Sequence, residues 1–398
     1  HPHLQEVAKV YQNIKSKLID SDKLIIEVKN WFDFSSLNEY KLNWELVADN
    51  GKILHTGTID NLQTLPHQVE QLNLPKLKLP KDIGEAYLNL NWTRKEPTNC
   101  IDTSHIVAYD QFVIEVNKKA KNTPFDKIDK KRINFQIDKQ TGAVNSLKVG
   151  NKEVLHSPIL LSLYRPSTDN DKRDAYGTRV WKNAGLHQLE QRAKSIRSSG
   201  NTTTAEVELI NNKEQAVATA QISYTLIRNK DLKVTVNFKP NTNLVKALAR
   251  IGLFFEMPQE YHKVSYLGRG DVETYADRKQ AGRIGIYETS AYRMFHYYVM
   301  PQSTGNRTDV RWGKVYNESK NGIAFDSSRP FQFSVIPFED DLVDHATHLN
   351  QLEDTGIVTV HLDAEQAGVG TATCGPGVLP QYRVAVQDTE FEFTIYGI

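Results

Sequence analysis

The chain has 398 residues, with 49 Lys plus Arg against 48 Asp plus Glu, a formal net charge of +1, and 39% hydrophobic residues. That length allows two or three domains with their own cores. Near-neutrality, with no basic block longer than the clusters around 118–132, disfavours an electrostatic nucleic-acid footprint.

No run approaches the roughly 18 apolar residues of a membrane span. The opening H-P-H-L-Q-E-V has neither region of a signal peptide. The sequence therefore reads as a soluble protein, cytoplasmic or periplasmic. Cys100 and Cys374 lie too far apart in sequence to suggest a disulfide framework.

Residues 4–18 read as one amphipathic turn or strand, and clear alternation begins at Lys23. K-L-I-I-E-V-K-N-W-F is a strand, S-S-L-N-E a turn, and Y-K-L-N-W-E-L-V-A and K-I-L-H-T-G-T-I flank D-N-G as a hairpin. V-E-Q-L-N-L, E-A-Y-L-N-L-N-W-T and I-V-A-Y-D-Q-F-V-I-E-V follow as strands, with Pro75, Pro80 and Pro97 confined to connections. This spacing predicts an immunoglobulin-like β-sandwich over 1–116. Residues 117–132 lose periodicity and read as a linker.

Over 133–398 strands resume as a meander with Asn-rich turns: I-N-F-Q-I, A-V-N-S-L-K-V, T-A-E-V-E-L-I, A-T-A-Q-I-S-Y-T-L-I and L-K-V-T-V-N-F. Later come A-R-I-G-L-F-F-E, F-Q-F-S-V-I-P-F, G-I-V-T-V-H-L-D and E-F-T-I-Y. A helical period shows only near 339–353, with acidic residues in the first turn. Long strands with large insertions predict a second, larger two-sheet sandwich, so the chain is all-β.

The stretch Tyr266–Trp312 looks most like a site. Its glycines force repeated turns and bring Arg269, Glu273, Asp277, Arg278, Asn306, Arg307, Asp309 and Arg311 together. Forked guanidiniums and carboxylates among Tyr and Trp faces suit a sugar or a neighbouring domain. The plainer reading is that they pair and pin long loops. The loop Tyr164–Asp171, Y-R-P-S-T-D-N-D, is similarly polar, and Arg165, Arg307 or Arg311 beside Asp169, Asp171 or Asp309 would neutralise buried charge only if the two segments converge.

Other motifs weigh against chemistry. D-N-D-K-R-D at 169–174 resembles the start of a calcium loop but has Arg173 at the fifth position and lacks the glycine. His345 and His348 lie one helical turn apart without a third ligand and read as surface residues. No metal site is expected. G-R-G-D-V-E lacks the third glycine of a dinucleotide fingerprint, and G-x-S-x-G is absent. Cys374, in V-G-T-A-T-C-G-P-G, has no basic neighbour to activate it. Nothing sets two carboxylates at a glycosidase separation.

In collinear order, H-P-H-L-Q-E-V-A-K-V-Y-Q, W-F-D-F-S-S-L-N-E-Y, Y-R-P-S-T-D-N-D with W-K-N-A-G-L, Y-L-G-R-G-D-V-E-T-Y-A-D-R, P-Q-S-T-G-N-R-T-D-V-R-W and G-V-G-T-A-T-C-G-P-G resemble the C-terminal part of glycoside hydrolase family 2 β-galactosidases. The resemblance implies the second immunoglobulin-like domain followed by a large galactose-mutarotase-like β-supersandwich. It implies that the TIM barrel, both catalytic glutamates and the main magnesium and sodium sites lie outside the chain. No catalytic residue and no cofactor are then expected within it. The partners implied are the barrel and N-terminal domains, and a β-galactoside in the parent; a homo-oligomer is compatible.

Substrate-entrance candidates are Arg165, Asp169, Asn170, Asp171, Glu273, Asn306, Arg307, Asp309 and Cys374. Cys374 stands where some members place a tryptophan platform, and a thiol offers no aromatic face. R-P-S-T-D-N-D, G-R-G-D-V-E and P-Q-S-T-G-N-R depart from the family's R-A-P-x-D-N-D, G-x-G-P-x-E and P-Q-E-N-G-N-R, and each change falls in a loop. The rival reading is a free-standing carbohydrate-binding or mutarotase-like module. It needs a histidine and a carboxylate converging in one cleft, with His262, His296 and Glu273 as candidates.

Overall fold

A computed structural model describes residues 1–75, 77–117, 130–228, 230–370 and 377–398. The chain divides into a smaller unit, His1–Pro124 with Arg283–Ile286, and a larger one, Phe125–Gly282 with Tyr287–Ile398. Among the described residues no helix is long and apolar enough to cross a membrane.

The smaller unit opens with helix α1 (His3–Val10) and strand β1 (Ile14–Asp20), where the sequence suggested a single amphipathic element. β2 (Ile25–Asn30), β3 (Tyr40–Ala48), β4 (Ile53–Ile59), β5 (Val69–Asn73), β6 (Glu85–Arg94) and β7 (Ile106–Glu115) follow. They form two antiparallel sheets, β1-β2-β5 and β4-β3-β6-β7, an immunoglobulin-like sandwich. Strict alternation on β3 turns Tyr40, Leu42, Trp44, Leu46 and Ala48 inward, where they meet Leu88, Leu90 and Trp92 of β6. The D-N-G turn closes on Gly51 at φ 81°, a left-handed conformation that glycine adopts without strain. S-S-L-N-E, expected as a plain turn, winds into a 3-10 turn at Leu37–Glu39, with the Ser36 side chain accepting from Asn38 N.

The larger unit runs β8 (Ile133–Ile137), β9 (Val144–Val149), β10 (Lys152–Glu153), β11 (Leu160–Ser162), helices α2 (Asp169–Arg173) and α3 (Thr178–Asn183), then β12 (Glu190–Ser199), β13 (Thr202–Ile210), β14 (Ala216–Ile227), β15 (Asp231–Pro240), β16 (Arg250–Pro258) and β17 (Lys263–Arg269). β18 (Ile284–Ser290), whose first three residues belong to the smaller unit, helix α4 (Ala291–Met294), β19 (Arg307–Tyr316), β20 (Gly322–Ile336), helix α5 (Asp340–His345), β21 (Ile357–Gln366) and β22 (Thr389–Gly397) follow. Beside a small sheet β10-β9-β8, one large sheet runs β11-β16-β21-β20-β22-β15-β14-β13-β12, with β19 and β17 branching from β20. The larger unit is thus built of strands, with only short helices among its described residues.

Its mainly aliphatic core includes a phenylalanine cluster: Phe325 and Phe333 meet edge to face at 5.1 Å, and Phe331 and Phe393 at 5.3 Å. Each such ring contributes roughly 1.5–3 kcal/mol through burial. The helical period at 339–353 resolves into only six residues of α-helix, ending at His345, followed by a 3-10 turn at Leu349–Gln351. Both His345 and His348 are exposed, as expected for surface positions.

Candidate functional site

Thr168 caps α2. Its hydroxyl accepts from Asp171 N at 3.1 Å, and the Asp171 carboxylate accepts from Thr168 N at 2.9 Å. A short aspartate completes the capping box, so D-N-D-K-R-D is a helix start and not a cation loop. The same carboxylate takes Arg165 in a two-pronged pair, Nε at 3.1 Å and Nη2 at 2.8 Å. The remaining Arg165 hydrogens reach the carbonyls of Ala367 at 2.6 Å and Gly368 at 2.7 Å. Both side chains are buried, and the fork geometry satisfies a charge that would otherwise be costly there.

The two loops singled out in the sequence do meet. Ser303 N donates to Pro166 O at 3.2 Å, and Asp169 N donates to the Gln302 side chain at 3.2 Å. Around the junction, side chains hold both stems of segment 371–376. On one stem, Asn170 donates to Val369 O at 2.7 Å, and Asp277 accepts from Val369 N at 3.0 Å and Gly370 N at 2.9 Å. On the other, Asp174 accepts from Val378 N at 3.0 Å. Gly368 and Gly377 are glycines for want of space: a Cβ there would lie 2.5 Å from the Asp277 carboxyl and 2.1 Å from that of Asp174. Cys374 itself lies outside the described residues.

Glu273 is buried and takes four donors: Arg278, the Tyr298 hydroxyl, the Thr304 hydroxyl and Gly305 N at 2.9 Å. Burial alone would push its carboxyl up, but Arg278 and the hydrogen bonds from Thr304, Tyr298 and Gly305 together hold it below the ordinary range. Asp309 sits at φ 52° in an irregular stretch of β19, where it pairs with Arg269 at 2.6 Å and Lys279 at 3.3 Å. Burial is again outweighed, here by those two cations, and its carboxyl is also depressed.

Arg307 departs from the expectation of a carboxylate partner. Its guanidinium donates to the Tyr266 hydroxyl at 2.9 Å and to the carbonyls of Gly305 at 3.0 Å and Asp271 at 2.9 Å. It therefore fixes turns by caging backbone oxygens. Asn306 donates to Thr274 O at 2.9 Å and the Gln332 side chain at 2.8 Å. Arg311 reaches the backbone carbonyl of Asp309. Of the expected arginine–aspartate pairs between these sets, Arg165–Asp171 forms within one loop, while Asp309 turns to Arg269. Asp169 keeps an exposed carboxylate beside Lys172 at 3.8 Å.

Of the histidine candidates, His262 lies beside the exposed Glu318 at 3.6 Å, and His296 packs edge to face on Tyr298 at 4.5 Å. The histidine–carboxylate pair that the fold does assemble was missed in the sequence. His361 on β21 is buried with Nε2 at 3.2 Å from Asp340, while Arg250 donates to its Nδ1. Accepting at Nδ1 fixes the proton on Nε2, so this imidazole is a structural bridge. H-L-D inside an apolar strand is its only sequence trace. Among the described residues no group of three or more His, Cys, Asp or Glu is placed to hold a metal ion.

Because Glu273, Asp309, Asp340 and Asp344 are all shifted below their ordinary values in the fold, their contribution to stability is present above the unfolded carboxylate range near pH 4 and is lost as pH falls through the folded values. Glu256, Asp363 and Glu365, raised by burial, act in the opposite sense. Glu273→Gln is therefore expected to flatten the acid limb of stability relative to the unmodified chain. Urea midpoints measured between pH 3 and pH 7 check this, and parallel curves for the two proteins would refute it.

The family model described as the beta galactosidase small chain matches residues 129–395, and that for beta-galactosidase domain 4 matches residues 26–115. The chain belongs to the beta-galactosidase small-chain family. The β-galactosidase of Actinobacillus pleuropneumoniae is 27% identical over 99% of this chain and 40% of its own length, and that of Kluyveromyces lactis 28% identical over 99% and 38%. The chain thus spans about two fifths of the length of those curated relatives. Among solved structures, galactose 1-epimerase from Lactobacillus acidophilus matches with a TM-score of 0.32 at 9% identity, over 78% of this chain and 94% of that one.

Proposed function

We propose that this chain is the C-terminal part of a β-galactosidase that hydrolyses terminal β-D-galactose residues, with the reaction carried out in a barrel outside it. The chain supports that barrel and lends it a loop at the substrate entrance. The observation that carries this reading is the grip on both stems of segment 371–376 by Arg165, Asn170, Asp174 and Asp277. Holding residues 367–370 and 377–378 by side chains of the larger unit fixes where segment 371–376 leaves and rejoins it, which is what a contribution to a neighbouring site requires. Asp169, Glu273, Asn306, Arg307 and Asp309 brace the loops from which the grip is built.

The mutarotase-like alternative gains no observation. Glu273 is saturated by four donors, and His361 is held between Arg250 and Asp340. Hydrolysis of a β-galactoside needs two carboxyl groups flanking the bond, so the 398-residue chain alone is expected not to turn over a chromogenic β-galactoside, whereas a longer protein containing it does. Turnover by the purified chain that disappears on changing one of its own carboxylates would overturn the proposal.

A further inference from the structure

Apart from the loop grip, the larger unit contains a cavity of about 240 Å³ between β11, the segment after α3, and the start of α5. One wall is apolar, formed by Leu163, Leu186 and Phe254 among others. The lining also carries Glu256, Glu339, Asp340, Asp341 and Asp344, and neither lysine nor arginine lines it.

Three of these carboxylates are already matched. Asp340 pairs with His361 at 3.2 Å, Asp341 with His345 at 3.3 Å, and Asp344 with Lys182 at 2.9 Å, the Tyr164 hydroxyl at 3.0 Å and Ser167 N at 2.9 Å. Glu256 and Glu339 form no ion pair. Burial first, and then the negative charge of Glu339, push the Glu256 carboxyl above its ordinary range, with Ser157 and His156 opposing. His187, also on the lining, presents a buried Nδ1 without a hydrogen-bond partner. Burial, and then Lys182, keep that imidazole from protonating, so it does not offset the carboxylates.

We propose that this cavity is a binding site for a small organic ammonium ion, with the apolar body against Leu163, Leu186 and Phe254 and the ammonium between Glu256 and Glu339. A cavity of roughly 150 Å³ takes a benzene ring, so the larger space here admits a ring with a one-carbon ammonium arm. The polar side is rich in acceptors and poor in donors. A neutral polyol would leave its own oxygens short of donors there, whereas an ammonium is donor-only and neutralises the two unpaired carboxylates.

The probe is benzylamine, compared with the isosteric benzyl alcohol and with galactose, by calorimetric titration and thermal shift of the intact protein at neutral pH. Benzylamine is expected to bind saturably and raise the melting temperature, and the two neutral probes are expected to do neither. Glu256→Gln/Glu339→Gln should weaken benzylamine about tenfold or more while raising the melting temperature of the unliganded protein, because it relieves a like-charge pair. That opposite movement separates a binding role from a merely structural one. Absence of saturable benzylamine binding, benzylamine binding unchanged in the double variant, or saturable galactose binding would each overturn the proposal. None of these readouts involves β-galactoside hydrolysis, so they stand or fall independently of the function proposed above.

Discussion

Arg165→Ala is expected to destabilise the larger unit by about 4 kcal/mol, because removing one partner of a buried ion pair leaves the other uncompensated. Asp171 would then remain buried with its charge, and the carbonyls of Ala367 and Gly368 would lose their donors. Arg165→Lys should recover only part of the loss. A single ammonium cannot span both carboxylate oxygens and two carbonyls in the geometry of a planar fork. The double variant Arg165→Ala/Asp171→Ala should cost less than the sum of the single variants, the coupling reporting the pair directly. Urea unfolding of the unmodified protein, the two Arg165 variants, Asp171→Ala and the double variant gives all these numbers, and additive single-variant effects would contradict the pairing.

The second large effect belongs to the smaller sandwich. Trp92 lies near the C-terminal end of β6, opposite Leu42 on β3 and Ala108 on β7, with no exposure to solvent. Trp92→Ala should cost about 4 kcal/mol through lost burial and the cavity left behind. Its indole N–H has no hydrogen-bond partner, so Trp92→Phe removes an unsatisfied donor while keeping most of the ring. That change should cost about 1 kcal/mol. Equal losses in the two variants, measured by denaturant midpoints, would place Trp92 in a less tightly packed setting than the one described.

The strands were legible where one face is buried and the other wet, since a period of two is then written into the residues. β3 shows it without interruption, and the D-N-G turn beside it fixes the register of the hairpin. Short helices were not legible. α2 has five residues and no apolar period, and its cap ends on aspartate where the usual signal is Glu or Gln. At the N-terminus, α1 buries no residue, so its eight residues carry only a weak signature against the strand that follows.

In the candidate site, sequence could place Arg, Asp and Asn in two loops and argue that buried charge must be paired. It could not choose partners. Arg165 finds Asp171 six residues away because α2 turns the chain back, whereas Arg307 finds backbone carbonyls because the turns at Asp271 and Gly305 point their oxygens at it. Asp277 belonged to the polar set of Tyr266–Trp312 and Asp174 to D-N-D-K-R-D, but no local signal assigned either to the stems of segment 371–376. Their trace is indirect, in Gly377 and Gly368, whose missing Cβ atoms make room for the two carboxylates.

The most direct test of the central claim is kcat/KM for a chromogenic β-galactoside in a longer protein that carries this chain, with Asp174→Ala and Asp277→Ala introduced together. Both carboxylates accept backbone N–H groups at the two stems, and Asp174 also accepts from Tyr176 N, so the fold should survive while the two stems lose their hold. The account predicts that kcat/KM falls about tenfold or more with a melting temperature within a few degrees of the unmodified protein. An unchanged kcat/KM at full folding would contradict it.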